Sequence, residues 1–392
     1  MYTILEPKKS KPLNLIGQIL GDSPGYRVGS KISEGAFGQV YEVESMSTGN
    51  KYAMKILNPT SKNISEFNRE LTAYELLSSK NESKEKEPVG CYEYIVCLID
   101  AFIQPMDGKN YYVFVLELMD NELWALVESG ITTKDSDIML FYMKTLLEGL
   151  AYIHSKGMAH NDIKPENILL KSYGDKVPIA KYTDFGLSCT DKTRPGLFGT
   201  KEIFIDALTK LEEPIFTERE LLRKNVTTLK EMALEFNALN PKQYSLLQCG
   251  RQGSLEYTSP DILIAEEHSV TLELSQKDDI WALGIVFRTL AAGFYMLPFA
   301  NANILLARDE VDGEEFLTTI YKDVKNNVGT IPVVYNTTKL TDTGEVLSKI
   351  SFRDKTVKEV IESMSAVKAA DRPSAEDLLK YIKTAEEIST IN

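Results

Sequence analysis

Apolar and polar residues alternate along residues 26–57, and two turns interrupt the alternation. The first turn carries Gly35 and Gly38, and the second is Thr48-Gly49-Asn50. A period of two is typical of strands that bury one face, so this pattern predicts three antiparallel strands. Two more strand-like runs, IVCLIDAFIQ and YYVFVLELM, flank a turn at residues 106–110. This part of the chain is therefore predicted to form an antiparallel sheet.

Apolar residues at helical spacing mark most of the remaining chain. The run SEFNRELTAYELLSS, which lies between strand-like runs, has this spacing and predicts one helix. Beyond residue 119 the helical period dominates, as in DSDIMLFYMKTLLEGLAYIHSKG, where Gly157 is suited to cap the C-terminus of a helix. Residues 1–25 show no clear period and are predicted to be an extension.

Composition allows a large buried core. The chain has 392 residues, of which 43% are hydrophobic, and this length suggests two or three lobes or domains. Its formal net charge of −13 argues against a general binder of nucleic acid or anionic membranes, and favours basic substrates or partners. Proline, glycine and asparagine interrupt the most apolar window, residues 289–307, so we expect no membrane span. The amino terminus has no apolar run of signal-peptide length, and we expect an intracellular protein.

Cysteine usage also fits an intracellular protein, and histidine usage bears on metal binding. Cys91, Cys97, Cys189 and Cys249 show neither C-x-x-C spacing nor the density of a disulfide scaffold. We therefore expect free, reduced thiols, with a pairing of Cys189 and Cys249 across the long segment between them as the alternative. Three histidines without paired spacing predict no zinc site.

Two short runs concentrate residues suited to phosphoryl transfer. AHNDIKPENILL and YTDFG place two carboxylates, Asp162 and Asp184, and the amide of Asn167 beside short apolar segments. Asp162 is a candidate base for the proton of a nucleophile, and Lys164 can reach a transferring phosphate. Asn167 and Asp184 offer the oxygen ligands that Mg²⁺ prefers. The sequence therefore predicts a phosphoryl-transfer centre.

These runs resemble the eukaryotic-type protein kinases, whose catalytic loop reads H-R-D-x-K-P-x-N and whose metal site reads D-F-G. The resemblance implies an α+β, two-lobed protein-kinase fold, with a small antiparallel-sheet N-lobe that has one helix and a large, mainly helical C-lobe. It puts the N-lobe at residues 26–116 and the C-lobe at residues 117–392, after the extension at residues 1–25. ATP and Mg²⁺ are the cofactors that it implies.

Further family motifs occur in order along the chain. The turn SEGAFG resembles the Gly-rich loop, with Ser33 at the first Gly position, and Lys55 takes the place of the phosphate-binding strand lysine. Glu70 lies where the partner of that lysine is expected, and Glu75 is the alternative, because one sequence does not establish the phase of the helix. The resemblance implies a catalytic set of Asp162, Lys164, Asn167, Lys55, Glu70 and Ser254.

The resemblance also implies which residues bind the cofactors. It assigns Mg²⁺ to Asn167 and Asp184, and it places Leu116 at the back of the adenine pocket. The residues implied to bind ATP are Ile32, Gly35, Gly38, Val40, Ala53, Lys55, Glu117, Met119, Leu169 and Asp184.

Downstream motifs imply contacts that support the catalytic loop. The run GSLEY resembles the family's G-T-x-x-Y, so Ser254 is implied to hydrogen-bond Asp162 and Lys164. Asp261 replaces a Glu of the family and is implied to form a structural ion pair with Arg372. In a D-x-W-x-x-G motif, Asp279 is implied to brace the loop backbone, and His160 is implied to support the loop and Phe185.

Two departures from the family pattern carry expectations of their own. Asn161 stands where the family has an Arg that, in many relatives, pairs with a phosphorylated activation segment, so we hypothesise that activity does not require such phosphorylation. A long segment follows Gly186, and helical spacing predicts a helical insert at about 190–247. The insert either docks a partner or substrate, or covers the cleft, or is a decoration without a role.

The combined expectation is an ATP-dependent kinase that phosphorylates Ser/Thr hydroxyls of protein substrates, since Lys164-Pro165 resembles the serine/threonine kinases. Two alternatives stay open. One is a catalytically weak pseudokinase that acts as a scaffold. The other is a small-molecule kinase of choline or aminoglycoside type, whose H-x-D-x-x-x-x-N loop His160 and Asp162 also match. No nucleic-acid partner is expected.

Overall fold

A computed structural model of the chain describes residues 15–35, 38–58, 61–78, 91–174, 176–190, 253–264, 271–295, 297–298, 315, 318–319, 322 and 352–391. The predicted insert at about 190–247 lies outside these residues, apart from Thr190. The chain divides into two units, of which the first is Met1–Asn63 with Ile99–Leu118 and the second is Ile64–Leu98 with Met119–Asn392. Most of the helix that carries Glu70 therefore falls in the second unit, whereas the sequence had placed it in the N-lobe.

The first unit is built on a six-stranded sheet with the order β1-β2-β3-β4-β6-β5. The pairs from β1 through β4 to β6 are antiparallel. Part of the predicted extension belongs to this sheet, because Ile19 pairs with Arg27 and Leu20 is buried. The strands are β1 (Ile19–Leu20), β2 (Tyr26–Glu34), β3 (Gly38–Ser45), β4 (Lys51–Leu57), β5 (Leu98–Met106) and β6 (Lys109–Glu117).

The two faces of the sheet follow the period of two in the sequence. One face buries an apolar cluster of Leu15, Leu20, Val28, Tyr41, Val43, Met54, Ile56, Tyr111, Val113 and Val115. Val40 pairs with Lys55 in register, and Ala53 pairs with Leu116. Because cross-strand partners share a face and successive residues alternate, these four side chains lie on the face opposite the cluster.

Gly38 is required by close contact between strands. A Cβ atom at this position would lie 2.0 Å from the carbonyl oxygen of Ile56, far inside van der Waals contact. The backbone N–H of Gly35 donates to the carbonyl of Gly38 at 2.9 Å and closes the turn, whereas a Cβ at Gly35 would meet nothing within 4 Å. Packing therefore explains the glycine at position 38 but not the glycine at position 35.

The second unit is mainly helical within its described residues. It also contains two small antiparallel sheets, one with the order β10-β9-β7 and one that pairs β11 with β8. The strands are β7 (Asn121–Glu122), β8 (Met158–Ala159), β9 (Ile168–Lys171), β10 (Ile179–Tyr182) and β11 (Cys189–Thr190). The helices are α1 (Ser61–Leu77), α2 (Trp124–Ser129), α3 (Ile131–Lys134), α4 (Ser136–Ser155), α5 (Pro260–Ile264), α6 (Leu272–Ala292), α7 (Phe352–Met364) and α8 (Ala375–Ile391).

Polar caps start the two long central helices, and glycines follow their ends. Asp135 accepts hydrogen bonds from the backbone N–H groups of Asp137 and Ile138 at the start of α4, and Thr271 caps α6. Gly157 has a left-handed φ of 66° just past the end of α4, as the sequence predicts. Helix α6 is buried along almost its whole length and is the centre of this unit. A sheet-based unit and a helical unit together confirm the predicted α+β class.

The expectation of free thiols is wrong for three of the four cysteines. Cys91 and Cys97 form a disulfide, and Cys189 is disulfide-bonded as well. The loop between Cys91 and Cys97 returns onto β10, where Tyr182 exchanges backbone hydrogen bonds of 2.9 Å with Tyr94 and Val96. This return brings the Cα atoms of the two cysteines within 5.4 Å, a normal separation for a disulfide. Neither spacing nor density of cysteines in a sequence detects such a return.

The ion pair that the resemblance implies between Asp261 and Arg372 is present. The side chain of Arg372 is 0% exposed, and its guanidinium contacts the Asp261 carboxylate. It also donates to the carbonyls of Ala366, Val367 and Lys277 at 2.8 to 3.0 Å. These bonds tie α5, α6 and the segment before α8 together. Among the helices of the described residues, none has the length and apolar character to cross a membrane.

Arg372→Leu is expected to destabilise the protein by about 3–5 kcal/mol, because it leaves three carbonyls and a carboxylate without their buried donor. The free energy of unfolding in denaturant measures this cost. The matched control is Arg27→Leu, which breaks an exposed ion pair with Glu44 at 4.0 Å and should cost less than about 1 kcal/mol. Equal costs for the two variants would contradict the structural role of Arg372.

Candidate active site

One buried carboxylate holds the backbone of the loop that carries Asp162, which is the predicted catalytic loop. Asp279, 1% exposed on helix α6, accepts the backbone N–H of His160 at Oδ2 and that of Asn161 at Oδ1, both at 2.8 Å. The ring of His154 contacts the same Oδ2 through Nε2 at 2.9 Å. With these partners the carboxylate holds two consecutive peptide groups of the loop in one orientation, as the resemblance implies.

His160 connects the catalytic loop to the segment that carries Asp184. Its Nε2 donates to the carbonyl of Thr183 at 3.0 Å, because a carbonyl only accepts. Its Nδ1 then accepts the backbone N–H of Asp162 at 3.3 Å, which requires a neutral ring with the proton on Nε2. The ring also packs 4.8 Å from the ring of Phe185, between centroids. One side chain therefore sets the positions of both predicted carboxylates.

Four donor groups orient the Asp162 carboxylate. Oδ1 accepts the backbone N–H and the hydroxyl of Ser254 at 3.0 and 3.1 Å. Oδ2 accepts the amide of Asn167 at 2.8 Å and lies 2.9 Å from Nζ of Lys164. Lys164 also donates to the Ser254 hydroxyl at 2.8 Å, so the contacts implied by the resemblance for Ser254 are present. The fold brings these residues together from positions 162–167 and from position 254.

The residues assigned to Mg²⁺ fit a small, hard cation. Nδ2 of Asn167 donates to the backbone carbonyl and to Oδ2 of Asp162, both at 2.8 Å, so the amide oxygen Oδ1 is turned away from these groups. The carbonyl of Asn167 accepts the N–H of Thr183 at 3.0 Å, which places Asp184 one residue from this contact. An amide oxygen and a carboxylate, completed by phosphate oxygens and water, match the coordination that Mg²⁺ prefers.

Gly253 allows a segment that is about 90 positions away in the sequence to come close to Asp162. It adopts φ +96°, and a Cβ here would lie 2.3 Å from the carbonyl oxygen of Asn161. Glycine tolerates both conditions, since it has no Cβ. The close approach lets the following residue, Ser254, place its N–H and its hydroxyl on the same carboxylate oxygen.

The residues assigned to ATP are distributed over both units. In the first unit, Gly35 and Ile32 are exposed at the end of β2, and Val40, Ala53 and Lys55 are half-buried on one face of the sheet. Glu117, at the end of β6, is half-buried, as are Met119, Leu169 and Asp184 in the second unit. Ala36 and Phe37, between the two glycines in the sequence, lie outside the described residues.

Burial separates the two candidate partners of the strand lysine. Glu70 is 1% exposed on α1, whereas Glu75 is half-exposed. A carboxylate that is almost fully buried needs a cationic or hydrogen-bonding partner, whereas a half-exposed one keeps part of its hydration. The difference favours Glu70 over Glu75.

Several residues of the site escape sequence reasoning. On helix α1, the guanidinium of Arg69 donates to the carbonyl of Gly186 at 3.3 Å. Trp124 donates from Nε1 to the Glu166 carboxylate in the catalytic loop at 2.9 Å. Asp278 accepts the backbone N–H of Ser259 at 2.6 Å. Arg69 and Asp278 are each adjacent in the sequence to a residue that a family motif marks, Glu70 and Asp279, and this adjacency could have drawn attention to them. No pattern in the sequence marks Trp124.

Asp278 and Asp279 are adjacent, and their surroundings differ. Burial raises the pKa of Asp278 to about 7, against the lowering effects of the Ser259 hydrogen bonds and the charge of Arg372. Burial likewise raises the pKa of Tyr257 far above its usual range, so this phenol next to the site stays neutral. From adjacent positions on α6, Asp279 binds the backbone of the loop that carries Asp162, and Asp278 binds the backbone N–H of Ser259.

Comparisons with known proteins agree with this geometry. A family profile described as "Protein kinase domain" matches residues 26–203. The chain is 33% identical over 165 residues to "Probable serine/threonine-protein kinase fhkA" of Dictyostelium discoideum, which covers 40% of this chain and 25% of the relative. It is 24% identical over 370 residues to "CBL-interacting protein kinase 33" of Oryza sativa subsp. japonica, which covers 93% of this chain and 62% of the relative.

A third similar protein is "CBL-interacting serine/threonine-protein kinase 8" of Arabidopsis thaliana, 23% identical over 300 residues, or 76% of this chain and 50% of the relative. The chain spans less than two thirds of the length of each of these three relatives.

Gly253→Ala is expected to cost about 1–3 kcal/mol, because the new Cβ combines a strained φ with a clash against the Asn161 carbonyl. Thermal unfolding measures the loss. The matched control is Gly157→Ala, which has φ +66° and nothing within 4 Å of the added Cβ, and therefore isolates the strain. A loss for Gly253→Ala no larger than the control's would contradict the close approach.

Asp278→Asn is expected to change how stability depends on pH. Because the native pKa is about 7 and the ordinary pKa of an aspartate is 3.8, the native state holds a proton between these values that the unfolded chain releases. Stability should therefore fall as pH rises from about 4 to 7. Asparagine keeps the acceptor for Ser259 but does not titrate. Unfolding free energies across this pH range should diverge in favour of the variant, and parallel curves would refute the assignment.

Proposed function

From the match of residues 26–203 to the protein kinase domain family, we propose that the protein transfers the γ-phosphoryl group of ATP to Ser or Thr hydroxyls of protein substrates. The observation that carries the proposal is the arrangement around Asp162. Lys164, Asn167 and Ser254 all contact its carboxylate within 3.1 Å. This arrangement supplies a proton acceptor, a cation and an oriented amide in one place.

In the proposed reaction, the hydroxyl of the substrate takes the place of one donor to the Asp162 carboxylate. Its oxygen attacks the γ-phosphorus and its proton passes to that carboxylate, while the bond from the γ-phosphorus to the bridging oxygen breaks and ADP leaves. Lys164, 2.9 Å from that carboxylate, is placed to balance the negative charge of the phosphoryl group during transfer. The Ser254 hydroxyl bonds both groups and keeps them at this separation. Mg²⁺ bound by Asn167 and Asp184 would neutralise phosphate charge.

The nucleotide-binding part of the proposal rests on the matched motifs and on burial. We assign the α- and β-phosphates to Lys55, with Glu70 as the carboxylate that orients it. Glu70 is supported by its burial. Gly35 is supported because packing does not require a glycine there, which leaves room for close approach of phosphates. The remaining ATP contacts stay predictions.

Two alternatives are weighed against specific residues. A pseudokinase that acts as a scaffold would be expected to lack the base, a metal ligand or the strand lysine, and Asp162, Asn167, Asp184 and Lys55 are all present. A small-molecule kinase shares the loop around Asp162. The names of the serine/threonine kinase relatives favour a protein substrate instead.

The class of substrate and the cellular location of the reaction are proposed from general properties of the chain. The net charge of −13 favours basic protein substrates, and the need for ATP favours an intracellular location. Docking of a substrate or partner on the insert at about 190–247 stays a prediction, because those residues lie outside the described part of the chain.

Asp162→Asn is expected to lower phosphoryl transfer by about 10²- to 10⁴-fold, the range typical of a lost general base. Asp184→Asn is expected to lower it as well, because the proposed site would lose a carboxylate that holds Mg²⁺. Radiolabelled ATP with one basic and one acidic generic protein measures the transfer. The control is Asp107→Asn, since Asp107 lies on an exposed turn at φ 50°, close to the φ of 60° at Asp184.

Loss of labelling in both site variants, with the control active, would support the assigned chemistry. Full labelling in Asp162→Asn would contradict it. Labelling of aminoglycosides or choline, but of neither protein, would favour the small-molecule alternative.

A further inference from the structure

The segment from Thr183 to Ser188, which carries Asp184, is fastened to its surroundings through backbone carbonyls. His160 donates to the carbonyl of Thr183 at 3.0 Å, ahead of the metal ligand. Behind it, Arg69 donates to the carbonyl of Gly186 at 3.3 Å. The amide Nδ2 of Asn161 donates to the carbonyl of Leu187 at 3.1 Å. The proposed chemistry uses neither Arg69 nor Asn161 directly, so their roles need a separate explanation.

Asn161 is held from both sides. It is 7% exposed and adopts a left-handed φ of 64°. Its N–H is bonded to Oδ1 of Asp279, and its carbonyl lies against Gly253. Asparagine is among the few residues with a side chain that adopt this conformation readily. The fixed backbone limits where the side chain can reach, and in this setting its amide donates to the Leu187 carbonyl at 3.1 Å.

Asp184 needs such restraint. Its own φ of 60° is in the left-handed region, which costs a residue other than glycine about 1–3 kcal/mol. A strained conformation persists only where neighbouring contacts fix it. His160 fixes the chain one residue before Asp184, and Asn161 fixes it three residues after. Without the bond to Leu187, the C-terminal side of the strained residue would lose one of its fixed points.

We propose that Asn161 is a positioning residue that holds Asp184 in its metal-binding conformation by donating a hydrogen bond to the Leu187 carbonyl. The bond is made between an uncharged amide and the main chain, so no phosphate group on the chain is needed to form it. This gives a physical basis for activity without phosphorylation of the segment after Gly186. The consequence for Mg²⁺ rests on the proposed function, whereas the restraint on the segment does not.

Asn161→Asp tests the donor alone. Aspartate has the same shape and also tolerates the left-handed backbone, but its carboxylate cannot donate to a carbonyl. The backbone amides of residues 183–190 should exchange hydrogen for deuterium about five- to tenfold faster than in the wild type, the factor that corresponds to one lost hydrogen bond. The Mg²⁺ concentration for half-maximal binding of a fluorescent ADP analogue should rise by about the same factor.

Asn161→Gly is the second variant. Glycine keeps the backbone conformation without strain and removes the amide without adding charge, so it should reproduce both shifts, and it decides the question if the aspartate variant does not fold. Asn50→Asp, on the exposed turn between β3 and β4, adds the same charge in the first unit and should leave both measurements unchanged.

Unchanged exchange over residues 183–190 in both variants would overturn the proposal. Faster exchange with an unchanged Mg²⁺ requirement would also overturn it, because the bond would then be structural only. A wild-type protein that loses phosphoryl transfer after phosphatase treatment would refute independence from phosphorylation. If the wild type transferred no phosphoryl group at all, the proposed function would fail, and the exchange measurement would still decide whether Asn161 restrains the segment.

Discussion

The hydrogen bonds of the Asp279 carboxylate to two consecutive backbone amides are the contact on which the site depends. Placing a carboxylate in the interior of a helical unit is unfavourable unless donors replace its water. Here the donors are the N–H groups of His160 and Asn161 and the ring of His154. The same exchange that satisfies the carboxylate fixes the loop ahead of Asp162. Stability of the helical core and accuracy of the site therefore come from one interaction.

The contacts that connect this carboxylate to the rest of the candidate site are made by side chains to backbone groups, not by side chains to one another. The side chains of His160 and Asn161 donate to the carbonyls of Thr183 and Leu187. Asn167 donates from its amide to the carbonyl of Asp162, and its own carbonyl accepts the N–H of Thr183. Backbone carbonyls are present whatever the side chain, so these contacts restrain position without limiting which residues follow. The left-handed conformations at Asn161 and Asp184 show where the restraint acts against local preference.

Buried charge is treated differently at neighbouring positions of the same helix. Asp279 has three donor partners, whereas Asp278 has the N–H of Ser259 and the nearby charge of Arg372, and its pKa is raised. Arg372 has backbone carbonyls as well as Asp261 around its guanidinium. The charged groups of Asp278 and Asp279 hold the backbone at Ser259 and at His160 and Asn161, and these same contacts stabilise the buried charges.

The sequence by itself determined most of the large sheet and the long helices α1 and α4, and it indicated a candidate chemistry. Period two marked the sheet, and the residues around Asp162 and Asp184 indicated a phosphoryl-transfer centre, because strand alternation and oxygen-donor chemistry are local properties of residue type. Motif order supplied the pairing of Asp261 with Arg372, which are 111 positions apart. The preference for Glu70 over Glu75 as the proposed partner of Lys55 rests on burial, since one helix can present either residue to the interior.

Only the tertiary structure decided which groups meet across long separations in the chain. The disulfide of Cys91 with Cys97 depends on a loop that returns onto β10. The approach of Gly253 to Asn161 is so close that an added Cβ would lie 2.3 Å from the Asn161 carbonyl oxygen, and no spacing in the sequence encodes it. The bond from Asn161 to Leu187 depends on a backbone angle set by helix α6. Such contacts follow from packing, and packing is a property of the folded chain as a whole.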